Sequence, residues 1–298
     1  MKHDGDIWIK PRRKILFRGS GDIAYLEERF KKSFVGGYPV LLGSARVGVM
    51  LILKEFHSSQ LVSIFPFASQ CVVKAATLSG KSVHTPLPNE HREIVYNQWG
   101  LHQNHRTLLD IFLVDSADSL YPLGGEICKS NSRFEVWSFP KIVGTTFGGI
   151  VWCKNKSDAE RLREIRNESP VQTFLWHNLL FTFKSFSKKS YQLWENYEFS
   201  HPGIGKSQVK ILNQQLSLWS EIYLTMRRNY NMALQIAENT NYPREQELDF
   251  LNYGVIPTVV EWQSPNENSL VRKLTKVLPD GSLEKRNVFA YQKEIKAI

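Results

Sequence analysis

Apolar and polar positions along the chain follow two rhythms. Up to about residue 155, short apolar runs alternate with polar, glycine-containing turns and with stretches of helical spacing. Asp22 N-caps a helix predicted to run to Lys32, and Gly36 and Gly37 end it. A strand Tyr38–Leu42 and a Gly43-Ser44 turn follow, opening a helix whose buried side carries Val47, Met50, Leu51 and Leu53. A strand Gln60–Phe65, a helix from Ser69 to Leu78 and a strand Lys81–His84 read as one β-α-β unit. Further strands are expected at Glu93–Trp99, Ile111–Val114, Phe134–Ser138 and Ile150–Cys153. Beyond Cys153 the spacing changes to long helices over Ser157–Arg166, Val171–Phe183 and Ser207–Asn239, separated by the Lys184–Lys189 stretch and the His201–Gly205 turn. A strand Val255–Trp262 contains Pro257, which cannot donate to a ladder and so places it at an edge. Leu274–Ile298 is polar and lacks a final apolar strand and helix, which points to an abbreviated or partly disordered end. The pattern predicts an α/β fold with a mostly parallel sheet over residues 1–155, then a smaller, mainly helical and abbreviated C-terminal domain over 156–298.

Composition narrows the class. With 298 residues, 42% hydrophobic and 22% charged, the chain buries a large core. It has no apolar run of membrane-spanning length, and MKHDGDIW lacks a signal peptide's apolar core, so no membrane partner and a cytoplasmic location are expected. Cys71, Cys128 and Cys153 are far apart and read as reduced thiols. The net charge of +9 is scattered in short clusters at Lys10–Lys14, Lys31–Lys32 and Lys184–Lys189 that read as solvated faces, so nucleic acid is not expected as a partner.

Candidate chemistry falls where apolar runs stop. Asp115 ends FLVD, Ser138 ends FEVWS, Lys141 follows three residues later, and Gly148-Gly149 opens the next run. In an open α/β sheet ligands bind beyond the strand ends, which makes carboxylate, hydroxyl and amine one candidate site. Singly each has an ordinary explanation, because Asp and Ser cap turns and Lys is usually a solvated cation. Gly43-Ser44-Ala45 at a helix start suits either a plain Ser N-cap or a bound phosphate. His102 and His105 lack a carboxylate or Cys at ligand spacing and read as solvated.

Taken in order, Asp115-x-Ala117, Ser138-Phe139, Lys141 and Gly148-Gly149 resemble the DegT-type sugar aminotransferases, which use pyridoxal 5'-phosphate (PLP). The resemblance implies the fold type I three-layer sandwich and a homodimer completed by partner loops. It implies transfer of an amino group, from glutamate, to a keto group of a nucleotide-linked sugar for cell-surface polysaccharide. It gives Lys141 the bond to the cofactor aldehyde and the proton transfer, and sets Asp115 against the pyridine nitrogen. Ser138, Gly43, Ser44 and Ala45 fall to the phosphate, with Ala45 standing where the family has Thr, so that the backbone carries more of the binding. Phe67 takes the ring-stacking role, although Ser69 falls at the nearest equivalent position. Asn97 stands at the family's strand-end His. Asp118 stands where the family has His or Gln beside the cofactor, and two placements stay open: against the ring phenolate, or turned away. Asn196-Tyr197-Glu198-Phe199 matches the partner-subunit loop Asn-Tyr-Arg-Met, giving Asn196 to the phosphate and Glu198 in place of Arg. Lys141 argues against the sugar dehydratase branch, in which His typically replaces the Lys. The short loops, Asp118, Glu198 and the short C-terminus keep open an inactive homologue that binds or assembles.

Overall fold

In the computed structural model, which describes residues 20–64, 69–84, 94–97, 111–128, 131–237, 255–257, 260–261, 271–277 and 283–289, helices and strands alternate through the first half. The strands there are β1 (Tyr38–Leu42), β2 (Leu61–Ser63), β3 (Ser82–His84), β4 (Ile94–Tyr96), β5 (Leu113–Asp115), β6 (Ser119–Leu120), β7 (Phe134–Ser138) and β8 (Gly149–Cys153). The helices are α1 (Ile23–Ser33), α2 (Ala45–Phe56), α3 (Gln70–Leu78) and the single turn α4 (Phe139–Ile142). As expected, Asp22 caps α1, its carboxylate accepting the Ala24 amide at 2.9 Å, and β2 pairs parallel with β3 across α3.

The main sheet has the order β1-β8-β7-β5-β4. β8 is antiparallel to both β1 and β7, while β7, β5 and β4 are parallel, so four strands run one way and β8 alone runs against them. This is the mostly parallel sheet that the apolar runs predicted. Side-chain alternation sorts the strands into two cores. Leu41, Trp137, Ile150 and Trp152 pack with Leu26 and Phe30 of α1, Leu212 of α8 (Lys206–Ser217) and Trp219 of α9 (Trp219–Ala237). Val40, Leu42, Val136 and Val151 pack on the other face with Val47 and Ile52 of α2, Ala75 of α3 and Leu162 of α5 (Lys156–Glu168). The layers covering the sheet therefore draw on both sides of residue 155.

β1 lies at the edge of this sheet among the described residues, and its outward peptide groups are bonded to side chains. Buried Glu27 of α1 accepts the Leu41 amide at 2.9 Å and Arg163 Nε at 2.7 Å, and it pairs with Arg166. Arg166 donates to the Leu41 carbonyl at 3.1 Å and Arg163 to the Pro39 carbonyl at 3.0 Å. The edge is closed by charge-assisted bonds rather than by another strand.

Five expectations need correction. The stretch around Asn196, expected as a polar loop, is helix α7 (Lys188–Ser200), capped by Ser187; Glu195 and Glu198 pair with Arg46 on its buried face, so its inward side looks polar in sequence. The helix expected from Val171 begins at Phe174 as α6 (Phe174–Phe183), because Val171 instead bridges to Gly203. The strand Val255–Trp262 is two short pieces, β9 (Ile256–Pro257) and β10 (Val260–Glu261), and Pro257 pairs with Ser119 in the two-stranded β6-β9 sheet. Within Leu274–Ile298, where no strand was expected, β11 (Val271–Val277) and β12 (Leu283–Phe289) pair antiparallel. The Asp280-Gly281 pair between them is a hairpin signal that outweighs their polarity. Lys184, expected on a solvated face, lies over Phe181 and Trp194 at 4.1 and 4.2 Å. Phe67, His102 and His105 lie outside the described residues. No described helix is long and apolar enough to cross a membrane, and no disulfide joins the three cysteines.

Arg133, just ahead of β7, grips Asp158 of α5 through two bonds of 2.9 Å, and this holds the Asp158 carboxyl below its usual 3.8. A depressed carboxylate contributes stability above its unfolded pKa and loses it as pH falls through the folded value. Unfolding free energies of the wild type and Asp158→Asn from urea titrations should differ by about 1 kcal/mol near neutrality, since Arg133 is partly exposed, and converge as pH falls through the lowered folded-state pKa of Asp158. A gap that persists in acid would assign the effect to something other than this pair.

Candidate active site

The strand register brings the proposed residues to one edge of the sheet. Leu42 and Ser138 both pair with Gly149, Asp115 pairs with Val136, and Tyr96 pairs with Asp115. The C-terminal ends of β1, β7, β5 and β4 thus share an edge, and Ser44, Ser138, Asp115 and Asn97 follow from it. Lys141 sits in α4, directly after Ser138.

Asp115 is held from behind by polar groups. Its Oδ1 accepts the Ala117 amide at 3.0 Å and its carbonyl accepts the Asn97 amide at 3.0 Å. Asn97 Nδ2 donates to Ser116 Oγ at 2.7 Å. Tyr121 contacts Ser116 and Glu135 and stacks on Trp137 at 4.9 Å. Burial first, and then the Glu135 charge, push the Tyr121 phenol well above its usual range, so it stays a neutral donor. Glu135 accepts Trp137 Nε1 and the Cys128 amide, each at 2.9 Å. This column fixes the turn after β5, and with it the direction of the Asp115 carboxylate.

Asp118 is turned onto Lys141. Its two oxygens lie 3.1 and 3.2 Å from Nζ, with the Lys141 side chain 12% and that of Asp118 4% exposed. Of the two placements left open by sequence, the structure adopts a third, an ion pair with the candidate reactive amine.

The turn after β1 is built by exclusion. Gly43 donates to the Pro202 carbonyl and its own carbonyl accepts the Gly148 amide, each at 2.8 Å, so its N–H is committed. The donors at this helix start are instead the first-turn amides of α2 and Ser44, whose Oγ caps the Val47 amide at 3.4 Å. A side chain on Gly149 would overlap the Ala45 amide and come within 2.6 Å of Ala45 Cα and of the Ser44 carbonyl carbon. One on Gly43 would overlap Gln172 Nε2 and come within 2.9 Å of the His201 carbonyl. Gln172 had no motif to announce it. Asn196, exposed on α7, accepts from Lys74 of α3 at 3.0 Å, and within one chain it does not join the strand-end group. No group of three or more His, Cys, Asp or Glu fit to hold a metal occurs among the described residues.

Amine, carboxylate, hydroxyl and a helix start at one sheet edge meet the needs of a phosphorylated aldehyde cofactor. The family model described as "Putative PLP-dependent aminotransferase" matches residues 26–251. The chain belongs to this family of PLP-dependent aminotransferases. No curated protein matches the sequence. Among solved structures, the fold is similar to Helicobacter pylori PseC, an aminotransferase of pseudoaminic acid biosynthesis, with 13% identity over 79% of this chain and 71% of that one and a TM-score of 0.53. It is similar to a DegT DnrJ EryC1 StrS aminotransferase from Brucella abortus, with 13% identity, 90% and 73% coverage and a TM-score of 0.50. It is also similar to the Escherichia coli GDP-4-keto-6-deoxy-D-mannose-3-dehydratase with bound hydrated PLP, with 13% identity, 89% and 73% coverage and a TM-score of 0.54. The fold is therefore that of the fold type I PLP enzymes, with PLP as the cofactor of the family.

The aminotransferase's turn has no slack at Gly149, since backbone lies on the far side of the contact. Gly149→Ala should cost about 2 kcal/mol or more in urea unfolding. A variant of unchanged stability would mean that the turn can move.

Proposed function

We propose that this aminotransferase moves an amino group from an amino-acid donor, glutamate, to a keto group of a nucleotide-linked sugar, in the assembly of cell-surface polysaccharide. The observation that carries the reading is the meeting of Lys141, Asp115 and Ser138 with the Gly43–Ala45 turn at one sheet edge. The sugar substrate is supported by fold likeness to proteins named for sugar chemistry. PLP, when bound, supplies the electron sink for chemistry next to nitrogen.

In this reading Lys141 Nζ is the amine that anchors the cofactor and carries the proton, and Asp115 is the carboxylate that keeps the pyridine nitrogen protonated. Ser44 and Ser138 hydroxyls and the first-turn amides of α2 hold the phosphate, Gly43 and Ala45 giving room and backbone. Phe67 is assigned to ring stacking, and Asn196 to a neighbouring subunit's phosphate. The exposed apolar side chains Leu175, Trp176, Leu179 and Phe183 on α6 support a homodimer. The location is taken to be cytoplasmic, and the division near residue 155 is one of sequence pattern, since α5, α8 and α9 pack on the main sheet.

The purified protein should be yellow with PLP, and borohydride should fix the cofactor mass to the Lys141 peptide. Lys141→Ala should still fold and lose both properties, with a lower melting temperature because nearly buried Asp118 loses this cation. A wild type left colourless, with Lys141 unmodified, would remove the reading.

The Asp118–Lys141 pair favours a second reading, an inactive homologue, because the amine is already bound to a carboxylate. The two separate on Asp118→Asn. In the active enzyme the pair is exchanged on loading, so this variant should take up PLP faster than the wild type, followed by growth of the visible band. Uptake at the wild-type rate would make the pair irrelevant to loading, and colour in the variant alone would favour the inactive homologue.

A further inference from the structure

A one-way series of amides ends at the base of the Gly43–Ala45 turn. It begins at the N-cap of α8, where the Gly205 amide donates to Gln208 Oε1 at 2.8 Å. That bond fixes which end of the Gln208 amide is oxygen, and Gln208 Nε2 donates in turn to Gln172 Oε1 at 3.5 Å. Gln172 is thereby left with its Nε2 as the outward end. This nitrogen lies against Gly43, as the closest atom to the space that a Gly43 side chain would fill.

Gln172 is 0% exposed, and its Nε2 has no hydrogen-bond partner. Buried amide donors without acceptors are rare because they are costly, so each asks for an explanation. Of the neighbouring backbone, the Gly43 carbonyl is engaged by the Gly148 amide, the Pro202 carbonyl by the Gly43 amide and the Gly203 carbonyl by the Gln172 amide, while the His201 carbonyl, which also faces Gly43, does not bond Gln172 Nε2. An acceptor from outside the chain is the remaining kind. Its charge follows from the surroundings, since the α2 N-terminus presents its first-turn amides at this turn and the linked amides point their N–H ends the same way. Both favour an anion.

We infer that Gln172 is a donor to the phosphate dianion of the cofactor, supplying at this turn the contact that is missing where the chain has Ala45. Gln208 acts through Gln172 and is a positioning residue. Gly43 is what lets the amide reach the turn. The inference rests on the reading given under Proposed function and adds to it a phosphate ligand from the segment between α5 and α6.

Gln172→Met keeps the length of the side chain and removes the donor. Its dissociation constant for PLP, titrated by absorbance, should rise about tenfold or more, as befits a hydrogen bond to a charged group. Its affinity for pyridoxal, which has the ring and aldehyde without the phosphate, should match the wild type. Its melting temperature without ligand should fall only slightly, because the Nε2 removed is unpaired and the Oε1 lost with it holds one 3.5 Å bond, from Gln208. Unchanged PLP affinity, or equal weakening toward PLP and pyridoxal, overturns the inference. If the Met variant does not fold, wild-type protein labelled with ¹⁵N-glutamine decides: one side-chain amide should shift with PLP and not with pyridoxal, and the absence of such a shift overturns it. Wild type that binds no PLP removes the functional reading along with the inference, whereas wild-type affinity in Gln172→Met removes the inference alone.

Discussion

The close approach of Gly149 to the Ser44-Ala45 backbone is the constraint on which the site depends. It sets the start of β8 against the start of α2, with no side chain between them. Because Gly149 also pairs with Leu42 and with Ser138, one residue ties the turn after β1 to the end of β7. The distance between a phosphate cradle and a lysine-bearing turn is then a property of the sheet itself. Flexible loops are not asked to find it.

A second constraint acts on charge. Within a short span lie Asp115, Asp118, Lys141 and Glu135, all on or next to the adjacent interior strands β5 and β7, yet each carboxylate has a separate occupation. Asp115 accepts a backbone amide, Glu135 accepts an indole and a backbone amide, and Asp118 holds the ammonium of Lys141. Dividing the partners in this way keeps like charges from competing for one site. It also leaves the neutral Tyr121 to buttress the turn after β5 without adding a further charge.

Much of this was legible in the sequence. β1 and β7 begin and end where the apolar runs do, and the Gly148-Gly149 pair that opens the next run is where Gly149 meets Ala45. Asp115, Ser138 and Lys141 could be placed because strand ends are fixed by alternation, and alternation is visible. What stayed hidden depends on partners distant in sequence. α7 escaped because Glu195 and Glu198 are polar in the chain but buried in the fold, where Arg46 neutralises them. The direction of Asp118 could not be read without knowing that α4 returns Lys141 to it. Gln172 sits in no motif, and its importance comes from Gly43, Gly205 and Gln208, none of which is adjacent.

The way β1 is closed has a consequence for the history of the chain. The bonds that cover its outer edge come partly from α1, which precedes it, and partly from Arg163 and Arg166, which lie 124 and 125 residues beyond Pro39 and Leu41. During synthesis the strand and its carbonyls exist long before those guanidinium groups do. For that interval β8 is missing as well, so both sides of the β1 segment are open and Glu27 has not yet met its two arginines. The newborn protein is thus most open to pairing with other chains in the window between the emergence of β1 and that of α5, and the ribosome's pace over that window bears on how much of it reaches the native sheet.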